Sequence, residues 1–270
     1  MGTRFRGFMD PNTLAIDLGI GLLAGAVGGL VGIGGSIVML PALAIFHGYE
    51  SEAKDRHHVY MAASMLVNIA VSLSATRQHK KRGAARRDVI LPLMISMSAG
   101  IVLGVLGSNQ GSGSVAVWAF AAFIWAYCLY TFVTLVRGLP ERPDDTPSPP
   151  VWILGTIGLF TGLLAGFLGV GGGILLVPLL QIAGLPLRHA IAGSAGVMWV
   201  SATIGAVTKL GFLPSLGFSM WDAIEIAAPM GAGALGGAWF GAWLGHTLKI
   251  PALKVVIIVV LSLAALRMVA

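Results

Sequence analysis

Apolar residues run along this chain in long blocks, with no strict alternation of apolar and polar positions. The blocks fall at about Leu14–Val31, Ser36–Phe46, Val59–Ala75, Val89–Gly107 and Val115–Val136. A second set falls at about Val151–Leu168, Gly173–Ala183, Ala190–Thr208, Ala223–Gly245 and Pro251–Val269. Crossing roughly 30 Å of hydrocarbon takes about 20 helical residues, because only a hydrogen-bonded helix satisfies its own backbone in lipid. The second block of each set has about 11 residues, too few to cross upright, and each follows a glycine-rich break. The pattern predicts helices throughout, with a broken or re-entrant short helix in each set.

Composition narrows this to a membrane protein. Of 270 residues, 56% are hydrophobic and 10% charged, against about 25% charged in soluble domains. Mean hydropathy is +0.87. The formal charge of +6 is confined to a few loops, so it reports topology and does not build a nucleic-acid face. The single cysteine, Cys128, lies in an apolar block, which excludes an internal disulfide or thiolate cluster. Arg4 and Arg6 precede the first block as in a signal peptide, but the block runs on without a clean cleavage site and is read as retained.

The two sets are copies of one another. Gly21–Pro41 reads GLLAGAVGGLVGIGGSIVMLP, and Gly158–Pro178 reads GLFTGLLAGFLGVGGGILLVP. Gly32 pairs with Gly169 and Pro41 with Pro178, each 137 positions on; Asp88 and Pro92 pair with Glu225 and Pro229 at the same offset. Ala63-Ser64 pairs with Gly193-Ser194 at 130, the first half having a longer loop there. The chain therefore divides into a first transmembrane repeat (1–136), a linker (137–150) and a second repeat (151–270). The linker reads RGLPERPDDTPSPP, a proline-rich and extended composition.

Charge sets the sidedness. The loop Arg77–Asp88 carries Arg77, Lys80, Lys81, Arg82, Arg86 and Arg87 and is cytoplasmic by the positive-inside rule. Ser108–Ser114 is uncharged and lies outside, and the linker returns to the cytoplasm. In the second half the bias is exchanged: Lys209–Asp222 is nearly balanced, and the loop near His246, Lys249 and Lys254 is basic. This exchange predicts inverted repeats of about five segments each. Parallel repeats with four crossings per half are the alternative.

The chemistry concentrates at the two breaks, Gly32-Ile33-Gly34-Gly35-Ser36 and Gly169-Val170-Gly171-Gly172-Gly173. Glycine leaves backbone N–H groups uncovered, and the following helix start adds free N–H groups and a positive dipole end. In a dry setting that is an anion cradle, and inverted repeats bring two such starts together near the midplane. Ser36 adds a hydroxyl that Gly173 cannot. Ser64, Asn68 and Ser194, within the third block of each half, can complete a shell around an oxyanion, or only join helices. The candidate binding residues are Gly34, Gly35, Ser36, Gly171, Gly172, Gly173, Ser64, Asn68 and Ser194. Close packing is the competing reading of the glycines, and it fits best at Gly21/Gly25, Gly162/Gly166, Gly233/Gly237 and Gly237/Gly241. No P-loop lysine follows either break, and no βαβ context surrounds them.

Arg77, Arg188, Lys209, His57, His58 and His189 stand near block ends. They either draw anions toward a path or anchor the helices by snorkelling, the latter being the plainer reading of Arg188 and Lys209. His57 and His58 are adjacent, point apart and lack a third ligand, so no metal site is expected. Asp17, Asp88, Asp222 and Glu225 all fall near block ends, and no carboxylate marks a proton or sodium site.

The runs GGLVGIGGSIVMLP and AGFLGVGGGILLVP, with the later Ala63-Ser64 and Gly193-Ser194 stretches, resemble the TauE/SafE sulfite exporter family over nearly the whole chain. The resemblance implies a carrier in the bacterial inner membrane, acting on sulfite or a short organosulfonate, with no cofactor, no enzymatic activity and no nucleic-acid partner. Its partners are then the anion and the lipid bilayer. The glycine faces either close the halves on each other or join two chains as a homodimer. The alternatives are a permease taking up another sulfur anion and a non-transporting membrane subunit or scaffold.

Overall fold

The computed structural model describes residues 10–31, 34–49, 52, 54–81, 86–137, 143, 145–244, 258, 262 and 266. Among these the chain is all helical. The first half supplies α1 (Pro11–Val31), α2 (Ser36–Phe46), α3 (His57–Lys81), α4 (Arg87–Asn109) and α5 (Gly113–Arg137). The second supplies α6 (Val151–Leu168), α7 (Gly173–Ile182), α8 (Leu187–Phe212), a 3₁₀ turn at Leu213–Leu216 and α9 (Met220–Leu244). The block Pro251–Val269 lies outside the described residues except at 258, 262 and 266. Six of these helices are long and apolar enough to cross a membrane. The helices outrun the apolar blocks at their ends: α3 extends to Lys81 and α8 to Phe212, because polar residues at a helix terminus reach the interface without breaking it.

Two cross-half pairs frame the molecule. In α1 and α9, Gly21 lies on the Met230 carbonyl, Gly25 on that of Ala234 and Gly29 on that of Ala238. In α4 and α6, Gly158 lies on Leu93, Gly162 on the Met97 carbonyl and Gly166 on that of Ile101. The order of contacts makes both pairs parallel. Shifting the first set by 137 positions produces the second, residue for residue. The same holds for Gly237 on Leu22 and Gly241 on Ala26, which repeat Gly100 on Leu159 and Gly104 on Leu163. At each point a Cβ would run into a backbone carbonyl, or at Gly158 first into the Ser96 hydroxyl, so the small residues are what permit the approach.

Between these pairs the equivalent helices α3 and α8 cross antiparallel. His58 meets Lys209 at one end (2.7 Å), and the Thr76 hydroxyl donates to the Ala195 carbonyl at the other (2.7 Å). The short helix α2 folds back along α1 as a hairpin. His47, just past α2, contacts Asp17 near the start of α1 (2.7 Å), while Gly28 packs on Gly34 and Gly35 at the tip. Trp118, Trp125, Leu129, Trp152, Trp221 and Trp239 are all more than half exposed, an outer surface suited to lipid and not to water. The linker does not hang free: Arg86 donates to the Thr146 carbonyl (2.8 Å) and Ser148 to the Asp88 carboxylate.

Gly25→Ala and Gly104→Ala should each cost about 1–3 kcal/mol by overpacking, read as a lower melting temperature in detergent. Gly155→Ala and Gly231→Ala, where a Cβ would meet nothing within 4 Å, should leave it unchanged. Equal effects at all four positions would remove close backbone packing as the frame of the fold.

Candidate functional site

Helix α2 is about 16 Å long, so its start lies deep in the molecule while its end reaches the level of the start of α3. That places the first break against the middle of α3, where Asn68 waits. The Gly35 N–H donates to Asn68 Oδ1 (2.9 Å), and Asn68 Nδ2 donates to Ser36 Oγ. One carboxamide therefore satisfies both an amide and a hydroxyl at the start of α2. Asn68, Ser36 and Ser64 are buried, as are Gly34 and Gly35.

The second break arrives at the same place from the other side. A Cβ at Gly171 would come within 2.8 Å of Asn68 Nδ2 and 3.0 Å of Met198 Sδ; one at Gly34 would come within 3.0 Å of Met198 Sδ and 3.2 Å of Asn68 Oδ1. Asn68 and Met198 thus touch both breaks. They are 130 positions apart, the offset of Ser64 and Ser194, and so are the same position in the two repeats. Ser64 Oγ reaches across to the Gly169 carbonyl (2.8 Å), whereas Ser194 Oγ donates within its own half to the Gly173 carbonyl (3.4 Å). All nine residues singled out from the sequence meet here, at the α3–α8 crossing.

The two breaks are nevertheless unlike. In the first, the left-handed residue is Gly34 (φ 81°), and the α2 N-cap, Gly35, is ordinary (φ −91°). In the second, the N-cap itself, Gly172, is left-handed (φ 80°, ψ −17°). A side chain there would be strained in its backbone and would strike Met97. Met198 offers no such oxygen to the start of α7, and among the described residues no side chain caps that helix as Asn68 serves the first. Gly32 and Ile33 lie outside the described residues.

One sequence expectation is overturned. Lys209 does not snorkel: it is 0% exposed, and its ammonium donates to His58 Nδ1 (2.7 Å), Ser108 Oγ (2.9 Å) and Asn109 Oδ1. Its place at the end of an apolar block suggested the interface. The acceptors that bury it come from two other helices and could not be read from its neighbours in sequence. His57 and His58 do point apart: His57 Nδ1 meets the Tyr49 hydroxyl (3.0 Å), and no group of three metal-ligating side chains occurs among the described residues. Burial pushes the Tyr49 phenol up, which keeps it protonated. The side chain of Arg188 is outside what is described.

Apolar crossing helices around a buried meeting of two broken hairpins are the architecture of a multi-pass membrane transporter. The family model described as "Sulfite exporter TauE/SafE" matches residues 18–268, and the chain belongs to that family. It is 28% identical to the probable membrane transporter protein YunE of Bacillus subtilis, over 85% of this chain and 86% of that one. It is 26% identical to the probable membrane transporter protein MJ0441 of Methanocaldococcus jannaschii, over 78% and 80%. It is also 26% identical to the probable membrane transporter protein MamO of Paramagnetospirillum magneticum, over 99% of this chain but 46% of that one. No solved structure matches.

Asn68→Leu should strand the buried Gly35 N–H and cost about 1–3 kcal/mol, while Met198→Leu, which conserves volume, should cost less than about 1.5 kcal/mol. Thermal denaturation of the purified variants in detergent checks the difference. Similar losses at both positions would mean that Asn68 does not hold the first break.

Proposed function

We propose that the chain exports a small sulfur-containing anion, sulfite or a short organosulfonate, across the bacterial inner membrane by alternating access. The observation that carries this is the meeting of both glycine breaks on Asn68 and Met198 at the α3–α8 crossing. In this reading the halves are inverted repeats. The antiparallel run of the equivalent helices α3 and α8 supports it, as does the exchange of basic loops between the halves. The basic stretch after α3 then faces the cytoplasm, and the end of α8 faces outside.

The anion binds at the second break. There the first N–H groups of α7, which have no partners within the helix, point into a site closed to water, where dipoles act strongly. Asn68 does for the first break what the anion does for the second: its carbonyl oxygen takes the Gly35 N–H. Its Nδ2, against Gly171, offers a further donor to the bound oxyanion. Ser64 and Ser194 hold the backbone of the second break through the Gly169 and Gly173 carbonyls. An inside-negative potential drives the anion outward by about 2.3 kcal/mol per charge per 100 mV, so no carboxylate ion site is needed.

The test is flux in proteoliposomes under an imposed potential, with sulfite, sulfate, thiosulfate, sulfoacetate and a matched carboxylate. Sulfite or the sulfonate should move and the carboxylate should not. Met198→Asn, which supplies the second cradle with its own carboxamide, and Gly172→Ala should each cut that flux at least tenfold in folded protein. Normal flux in both variants would take the anion away from the second break. No flux of any anion by folded wild type would overturn the carrier reading.

A further inference from the structure

Lys209 lies ten residues along α3 from Asn68, measured at its partner His58, or about 15 Å from the crossing. Nothing in the proposed cradle requires a buried ammonium there. Its place is set by helix ends. Ser108 and Asn109 close α4, and Lys209 is in the last turn of α8, so two negative dipole ends converge on the cation. Its three protons go to three neutral acceptors, and no carboxylate among the described residues pairs with it. Asp55, which lies beside His58, spends an oxygen on the Gly113 N–H (2.8 Å).

What the cluster leaves unused has one chemical character. With Nδ1 accepting from Lys209, the His58 proton sits on Nε2, a buried nitrogen that meets no acceptor at good geometry and has only the Gly111 backbone nearby. Asn109 accepts through Oδ1, and its Nδ2 is buried and unpartnered too. Both are N–H donors, and each is polarised by the cation bonded behind it. The deficit is a negatively charged acceptor. A metal ion fits neither the donors nor the ammonium.

We infer that Lys209, His58 and Asn109 form a second anion site, an antechamber for a small oxyanion at the end of the α3–α8 pair. It is separate from the glycine breaks and goes beyond the carrier reading. Asn109 is the one member that is only partly buried, so the anion reaches the cluster from its side, taking the Nδ2 and Nε2 protons while Lys209 supplies charge. Under the proposed orientation this is the outer mouth, where an exported anion pauses before release.

The experiment is calorimetric titration of the full chain, purified in detergent, with inorganic sulfate as probe. The background is Met198→Asn, in which the second break is occupied by its own side chain. Sulfate should still bind saturably there, and adding Lys209→Met should weaken it at least tenfold. Asn109→Leu, at a partly exposed position, should weaken it several-fold and serves if the lysine variant fails to fold. Lys209→Met keeps the side-chain length but strands the acceptors on His58, Ser108 and Asn109, which is why the Asn109 variant is run beside it. Sulfate bound equally with and without Lys209 and Asn109 would overturn the site. So would sulfate binding that the Met198→Asn change alone abolishes. A failure of the carrier reading shows elsewhere, as absent flux with sulfate binding intact.

Discussion

Everything in this fold depends on two pairs of helices lying backbone against backbone. Lipid offers no hydrophobic drive to join helices, so association rests on close contact. Glycines at 21, 25 and 29 and at 158, 162 and 166 bring α1 onto α9 and α6 onto α4. Each pair joins one half to the other. With the halves held so, α3 and α8 are left to cross in the middle, and the hairpin tips are pressed onto them. The site is thus a product of the packing: a bulkier face on α1 would move Gly34 and Gly35 as surely as it moved α9.

The sequence made the helices and the repeat legible because both are periodic signals. Ser36–Phe46 and Val151–Leu168 have the bounds that the apolar blocks give. The glycine breaks were legible as candidates too, since glycine runs before a helix too short to cross have few uses. What could not be read was pairing. No spacing tells that Asn68 gives its oxygen to Gly35, that Ser64 serves the opposite half, or that Met198 answers to Asn68 across the repeat. Lys209 was misread for a related reason. A cation at the end of an apolar block is ordinarily an anchor, and its acceptors lie about 100 and 150 residues away in the chain.

A repeat that was perfectly symmetric would present two equal cradles. This one has departed from symmetry at the positions nearest the crossing. Asn68 answers to Met198 and Ser36 to Gly173, and the left-handed glycine nearest the short helix sits one place later in the second break. At the hairpin mouths the Asp17–His47 contact of the first half has Leu154 and Gly184 at the matching positions of the second. The first hairpin is therefore tied by polar contacts at its tip and its mouth. The second is held by Ser64 and Ser194 through its carbonyls, which leaves its N–H groups for the anion in the proposed carrier.

Charge follows the same division of labour. Among the described residues the crossing holds no ionised group, only amides, hydroxyls and thioethers, so an anion bound there in the proposed carrier would be held by dipoles, which can release it. The fixed charge stands about 15 Å away at Lys209, too far to hold an ion at the crossing and near enough to favour its arrival in a medium of low dielectric. By sequence, positions 58 and 209 answer across the repeat to Arg188 and His79, which are also basic. In the proposed carrier, basic residues at these repeat-related positions would let an anion approach from either side without being trapped between them.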